Sequence, residues 1–219
     1  MGHKVHPKSF RLGVTRSWDG IWFAKSNYAS QLKEDVQIRE FLLNKLKEAL
    51  VDRIEIERSR GNVTVSIHSA KPGIIIGRAG AGIEELNKEL KKKFYRGRRV
   101  NLNINVKEVQ KPSLSARIVA QQIAFDLEKR MPFRRVMKMA IERVLKANAE
   151  GVKVTVKGRL NGAEIARSET IAQGKIPLHN LRADIDFVAL RAWTTYGTIG
   201  VRVWINRGEV FEKVDKLSE

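Results

Sequence analysis

Apolar residues recur along this chain with two periods, one near 3.6 and one of two, and the alternation between them predicts the elements. Ile38, Leu42, Leu46 and Ala49 share one helical face, and Asp35 is placed to cap that helix, which runs to about Leu50. Ile54 and Ile56 then alternate with Glu55 and Glu57, and after a turn at Gly61-Asn62, Val63, Val65 and Ile67 alternate with Thr64, Ser66 and His68. Both stretches read as half-buried strands. Helical spacing returns at Ile83, Leu86, Leu90 and Phe94, with Glu84 to Lys88 and Glu89 to Lys93 as acid-before-base pairs four apart. Leu102, Ile104 and Val106, separated by asparagines, give a third strand.

Lys111-Pro112-Ser113 marks a boundary, because proline disfavours helix before it and Ser113 is suited to cap the next one. Beyond it, Ala116, Val119, Ala120, Ile123 and Leu127 form a helical stripe, and a second helix starts at Pro132 and runs to about Asn148. Val152, Val154 and Val156 form a strand. Asn161-Gly162 is a hairpin signal, followed by a strand over Glu164 to Ile171. Further strands begin at Ile185-Phe187 and at Ile199-Val201-Val203-Ile205. The predicted class is α+β in two domains: a three-stranded sheet with helices on one face, then two helices on a four-stranded antiparallel sheet. The expected division is a basic arm over 1–15, a first domain over 16–110, a second over 111–208 and a charged tail over 209–219.

Between the second strand and its following helix lies Ile76-Gly77-Arg78-Ala79-Gly80-Ala81-Gly82-Ile83. Glycine lets a foreign backbone approach closely, and the amides opening the next helix carry partial positive charge beside Arg78. The string G-x-x-x-x-G-K-[ST] is absent, and Gly77, Gly80 and Gly82 give G-x-x-G-x-G rather than the dinucleotide fingerprint. The order helix, strand, strand, helix–GxxG–helix, strand resembles a type II KH domain, whose G-x-x-G loop clamps a single-stranded backbone. The candidate loop is Gly77, Arg78, Ala79 and Gly80.

Charge points to the same class of partner. Of 219 residues, 42 are Lys or Arg and 24 Asp or Glu, a net charge of +18. Such self-repulsion fits a polyanionic partner, nucleic acid before a membrane surface. No apolar run approaches the roughly 20 residues that span a bilayer. With no cysteine and four scattered histidines, neither disulfides nor a metal site is expected. Residues 1–18 hold Lys4, Lys8, Arg11 and Arg16 without an acid, interleaved with His6, Pro7, Phe10 and Trp18; they read as an arm that orders on RNA. Trp18, Trp22, Phe23 and Tyr28 offer an alternative anchor to the first domain. Lys91, Lys92, Lys93, Arg96, Arg98 and Arg99 form a second acid-free run.

Several strings resemble one family in order and over nearly the whole chain. They are Met1-Gly2-His3-Lys4-Val5-His6-Pro7 with Phe10-Arg11-Leu12-Gly13, the Ile76–Gly80 loop, Met131-Pro132-Phe133-Arg134-Arg135, Gly158–Arg167, Pro177-Leu178-His179, Leu181–Asp186 and Thr195-Tyr196-Gly197. Of these, Gly158–Arg167 is the most specific. The family is that of bacterial small-subunit ribosomal protein S three. The resemblance implies a structural, non-enzymatic constituent of the small-subunit head in the cytoplasm, without cofactors, lining the channel through which mRNA enters. Its partners would be small-subunit rRNA, mRNA, and the head proteins S ten and S fourteen. Basic residues matching Arg134, Arg135 and Lys138 contact mRNA in that family and help open paired message. The rRNA-facing candidates are Lys4, His6, Lys8, Arg11, Arg16, Lys91, Lys92, Arg96, Arg98, Arg99, Arg159 and Arg167. One departure is Ala79, because both inner positions of this loop are commonly basic in the family.

Two other functions compete. One is a free KH regulator of mRNA. The other is a metal-dependent nucleic-acid enzyme, since Asp184 and Asp186 share a strand face with Glu164 and Glu169 close in sequence. Against it, no further motif accompanies these acids, and pairing with Arg182, Arg191 or Arg167 accounts for them.

Overall fold

The structure is a computed structural model that describes residues 4–59 and 61–211. It divides into two compact units, Trp18–Gln110 and a second made of the N-terminal segment through Ser17 together with Lys111 onward. Residues 212–219, most of the expected charged tail, lie outside the described residues.

The chain opens with a short helix, α1 (Pro7–Phe10), which belongs to the second unit. The first unit begins with β1 (Gly20–Ile21) and α2 (Tyr28–Lys45), then β2 (Val51–Ser59), β3 (Asn62–Ser69), α3 (Pro72–Ile76), α4 (Ala81–Phe94) and β4 (Asn101–Glu108). Its sheet runs β1-β2-β3-β4. The β2–β3 hairpin is antiparallel, with Ile56 opposite Val65, and β4 lies parallel to β3, with Ile104 opposite Val65. Three long strands match the expectation, and the two-residue β1 adds a parallel edge beside Ile56 and Glu57. The alternating apolar residues Ile54, Ile56, Val63, Val65, Ile67 and Leu102 point to one face, where Ile38 and Leu42 of α2 and Leu86 and Leu90 of α4 cover them.

Asp35 does not cap α2. The helix starts seven residues earlier, and Asp35 is buried within it. Its carboxylate accepts from Trp22 Nε1 at 2.7 Å and from Arg58 Nε at 2.8 Å. An acidic side chain before an apolar stripe is a capping signal only when no donor reaches it from elsewhere, and here Arg58 does so from β2. Burial alone would lower the Arg58 pKa, but hydrogen bonding and charge from Asp35 raise it above its ordinary value. Glu84 pairs with Lys88 as expected, at 4.0 Å. Glu89 instead takes Lys45 at 2.6 Å, while the Lys93 ammonium sits 4.4 Å from the Phe41 ring centroid.

The second unit continues with α5 (Ala116–Glu128), α6 (Phe133–Lys146), β5 (Gly151–Gly158), β6 (Arg167–Gly174), β7 (Ala183–Thr194) and β8 (Gly197–Glu209). The sheet order is β6-β5-β8-β7, with every neighbouring pair antiparallel. Helix α5 lies on β7 and β8, and α6 on β5 and β6. Val152, Val154, Val156, Val201, Val203 and Ile205 form the floor beneath them. The cap of α5 is Ser115, whose Oγ accepts from Ile118 N–H, rather than Ser113, which lies in a preceding single turn. Asn161 and Gly162 do take left-handed conformations, at φ 54° and 79°. They sit inside a longer loop held by Arg159 Nε donating to the Ala163 carbonyl at 3.0 Å, so the strand begins at Arg167 rather than Glu164.

Candidate nucleic-acid interface

The glycine loop joins two helices that cross at backbone contact. A Cβ on Gly77 would stand 2.9 Å from Gly82 N, and one on Gly82 would stand 2.6 Å from the Ile75 carbonyl oxygen. Gly77 and Gly82 therefore serve the α3–α4 crossing. Gly80 differs in its space rather than its backbone: its φ is +83° against +71° at Gly77, but nothing lies within 4 Å of where its Cβ would be. Arg78 and Ala79 are exposed at the tip, and Ala79 itself is left-handed at φ 51°. Of the three isoleucines before the loop only Ile75 is buried, which leaves Ile74 and Ile76 as an apolar flank. In the last turn of α4 Lys91 and Lys92 are exposed, as are Arg96 and Arg99 beyond it, while Arg98 donates to Glu34 at 2.6 Å.

On α6 the two halves separate as helical geometry requires. Phe133, Val136, Met137, Ala140, Ile141 and Val144 are buried, and each of them except the smaller Ala140 contributes about 1.5–3 kcal/mol by removal from water. Arg134, Arg135, Lys138, Arg143 and Lys146 are exposed, interrupted only by Glu142. Arg134 is drawn to Glu169 of β6 at 3.0 Å. Among the described residues, Arg135 and Lys138 have no carboxylate partner.

The N-terminal cations are placed differently, and here the RNA-facing expectation needs correction. Arg11 is fully buried. Its Nε donates to the Ala183 carbonyl at 2.7 Å, Nη1 to Pro7 at 3.0 Å, and Nη2 to Asn180 and Leu178 at 2.7 and 3.1 Å. A guanidinium fork closed on carbonyls in this way has no face left for phosphate. Lys8 meets Asp186 at 2.9 Å, and Arg16 lies 3.3 Å from both Asp184 and Asp186. His6 packs edge-on against the Phe187 ring, with centroids 5.0 Å apart. Lys4 is exposed. The segment is ordered by its own second unit.

Asp186 is the centre of that anchorage, and its partners were not legible locally. Arg207 of β8 reaches it at 3.2 Å, and its Oδ2 accepts from Ala116 N–H at 2.8 Å, at the positive end of α5. Burial alone would raise the Asp186 pKa. The charges of Lys8, Arg16 and Arg207 outweigh burial and hold it well below the usual carboxylate range. None of Arg182, Arg191 and Arg167, the expected partners, is involved. Glu169 is engaged by Arg134 and Glu164 is exposed, so the four acids of the enzyme reading do not converge. Arg167 is exposed, and Arg159 is fixed by Ala163 and by the Tyr196 carbonyl at 3.2 Å.

Residues 37–114 match the KH domain family and residues 123–205 match the family described as Ribosomal protein S3, C-terminal domain. The small ribosomal subunit protein uS3 of Desulforamulus reducens is 51% identical over 217 residues, covering 99% of this chain and 96% of the relative. The chain belongs to the uS3 family. Its Enterococcus faecalis member is 52% identical over 210 residues, covering 96% of this chain and 94% of its own length. The Bacillus cytotoxicus member is 49% identical over 219 residues, covering 100% and 98%. The uS3 match spans both units, so the glycine loop and the α6 face belong to one family protein.

Proposed function

We propose that this chain is a structural constituent of the bacterial small ribosomal subunit, bound to rRNA in the cytoplasm, and that the outer face of α6 borders the path of mRNA. The observation that carries the mRNA reading is the unbalanced charge of that face. Solvated helix faces ordinarily mix signs, yet α6 presents five cations and one acid over a fully buried apolar half. Fixed cations along the path of the message hold the phosphates of a passing strand by charge alone, so their part in opening paired message requires no chemistry by the protein. The exposed Lys91, Lys92, Arg96 and Arg99, with the open Gly80 side of the KH loop, supply a second phosphate-binding surface for rRNA. Contacts with the head proteins S ten and S fourteen complete the assembly this reading implies.

Replacing Arg134, Arg135 and Lys138 together by Ala tests the α6 assignment. Ribosomes carrying the variant should assemble and should translate unstructured message normally, but slow on messages with stable hairpins. Equal slowing on both templates would return α6 to the status of a solvated face.

A further inference from the structure

A cavity of about 380 Å³ opens in the second unit, between the α5–α6 turn, the Arg159–Gly162 loop and the β7–β8 hairpin. Its rim carries two large aromatic rings that the core does not use: Trp193 is 67% exposed and Tyr196 52%. Such rings offer flat apolar faces to a planar ligand.

The walls are built to hold this shape. Arg130 and Asn161, on facing loops, both line the cavity and both sit in the left-handed region, at φ 62° and 54°. Arg130 closes the C-terminus of α5, its N–H donating to the Leu127 carbonyl at 2.9 Å and that of Met131 to the Asp126 carbonyl at 3.1 Å. Gly162 backs the Tyr196 ring so closely that a Cβ would stand 3.1 Å from it. Arg159 lies beside the same ring, its carbon 5.9 Å from the centroid, with Nε and Nη1 closed on backbone carbonyls. On the opposite side, Glu128 accepts from Trp193 N–H at 2.9 Å and fixes the strand that carries the indole.

We propose that this cavity receives one unstacked nucleotide of RNA, with its base against Trp193 and Tyr196 and its phosphate near Arg130. The volume falls in the 300–1,000 Å³ range of small-molecule sites. Two arginines against one already hydrogen-bonded carboxylate favour an anionic ligand, and two exposed aromatic rings on one rim favour a base over an aliphatic group. RNA proteins take splayed-out bases in this manner. Nothing in α6 beyond Phe133, and nothing in the glycine loop, contributes to it. The proposal rests on the RNA-binding reading above and adds a separate site to it.

The probe is an RNA hairpin with a single bulged 2-aminopurine, compared with the same hairpin lacking the bulge, each titrated with the full chain. The bulged RNA should bind more tightly, and its fluorescence should be quenched on stacking. Trp193→Ala, at an exposed position, should weaken the bulged complex about tenfold and abolish quenching while leaving the other hairpin unaffected. Arg130→Gly, which suits the left-handed backbone, should weaken the bulged complex with thermal stability retained. Arg135→Ala with Lys138→Ala should weaken both hairpins alike. If wild-type protein binds the two hairpins equally, the pocket proposal fails and the charge reading stands. If it binds neither, both fail. If Trp193→Ala binds both RNAs like the wild type but is not incorporated into small subunits, the pocket is a protein-docking feature and the nucleotide assignment is wrong.

Discussion

The N-terminal segment and helix α6 are both short, acid-poor and basic in sequence, yet the fold turns one inward and the other outward. Lys8, Arg11 and Arg16 close on Asp184, Asp186 and a set of carbonyls from the second unit. Arg135 and Lys138 stand on a helix whose opposite half is fully apolar, so burial of that half forces them into solvent. The difference teaches that local charge density does not fix the destination of a cation. Phase against an apolar stripe does for a helix; a distant partner does for an irregular segment. For Arg16 the partner lies 168 residues away.

The largest expected effect comes from breaking the inward side. Arg11→Ala removes a buried charge-bearing fork and strands the carbonyls of Ala183, Leu178 and Asn180, for a loss of about 4 kcal/mol from the second unit. Hydrogen exchange should show the amides of Phe10, Arg11 and Gly13 losing protection. Arg11→Lys should restore little, because a lysine ammonium cannot reproduce the guanidinium fork.

Asp186→Asn should cost about 3 kcal/mol near neutral pH, since three cations lose their shared acceptor. The pH dependence has a definite sign. A carboxylate whose folded pKa is depressed contributes fully above its unfolded value of about 4, loses that contribution progressively as pH falls below it, and has lost it once pH has passed the folded value. The gap between wild type and variant in urea melts should stay constant from neutrality down to mildly acidic pH. It should close below that, as Asp186 takes up a proton in the unfolded state.

On the outward side the corresponding change should be small. Glu169→Gln removes the partner of Arg134 at a pair whose arginine is mostly exposed, so stability should shift by less than about 1 kcal/mol. RNA affinity should rise slightly as Arg134 becomes available. A destabilisation comparable to that of Asp186→Asn would erase the distinction between the two regions.

The fold was largely legible because its strands alternate cleanly and its helices carry continuous apolar stripes. Val152, Val154 and Val156 could be assigned to a buried face without any knowledge of the sheet order. Asp35 and Asp186 were not legible, because their roles depend on Arg58, Arg207 and Lys8, which reach them through the tertiary fold. The Asn161-Gly162 signal was right about backbone handedness and wrong about where the strand resumes, since Arg159 ties the loop across its own neck. At the candidate site, the α6 face and the glycine loop were readable from spacing. Of the arm's cations, Lys8, Arg11 and Arg16 are engaged within the protein rather than held outward, because a cation carries the same local signature whether its acceptor is a phosphate, a carbonyl or a carboxylate.

Two double variants of the full chain test this account most directly, Lys8→Ala with Arg16→Ala against Arg135→Ala with Lys138→Ala. For each, affinity for a structured RNA is measured across a range of salt. Each phosphate that the protein no longer neutralises should reduce the slope of log K against log salt by roughly 0.7–0.9. The α6 pair should therefore lower the slope by about 1.4–1.8, while the arm pair should leave it unchanged and lower only the melting temperature. An arm pair that flattens the salt dependence as much as the α6 pair would contradict the inward assignment of these cations.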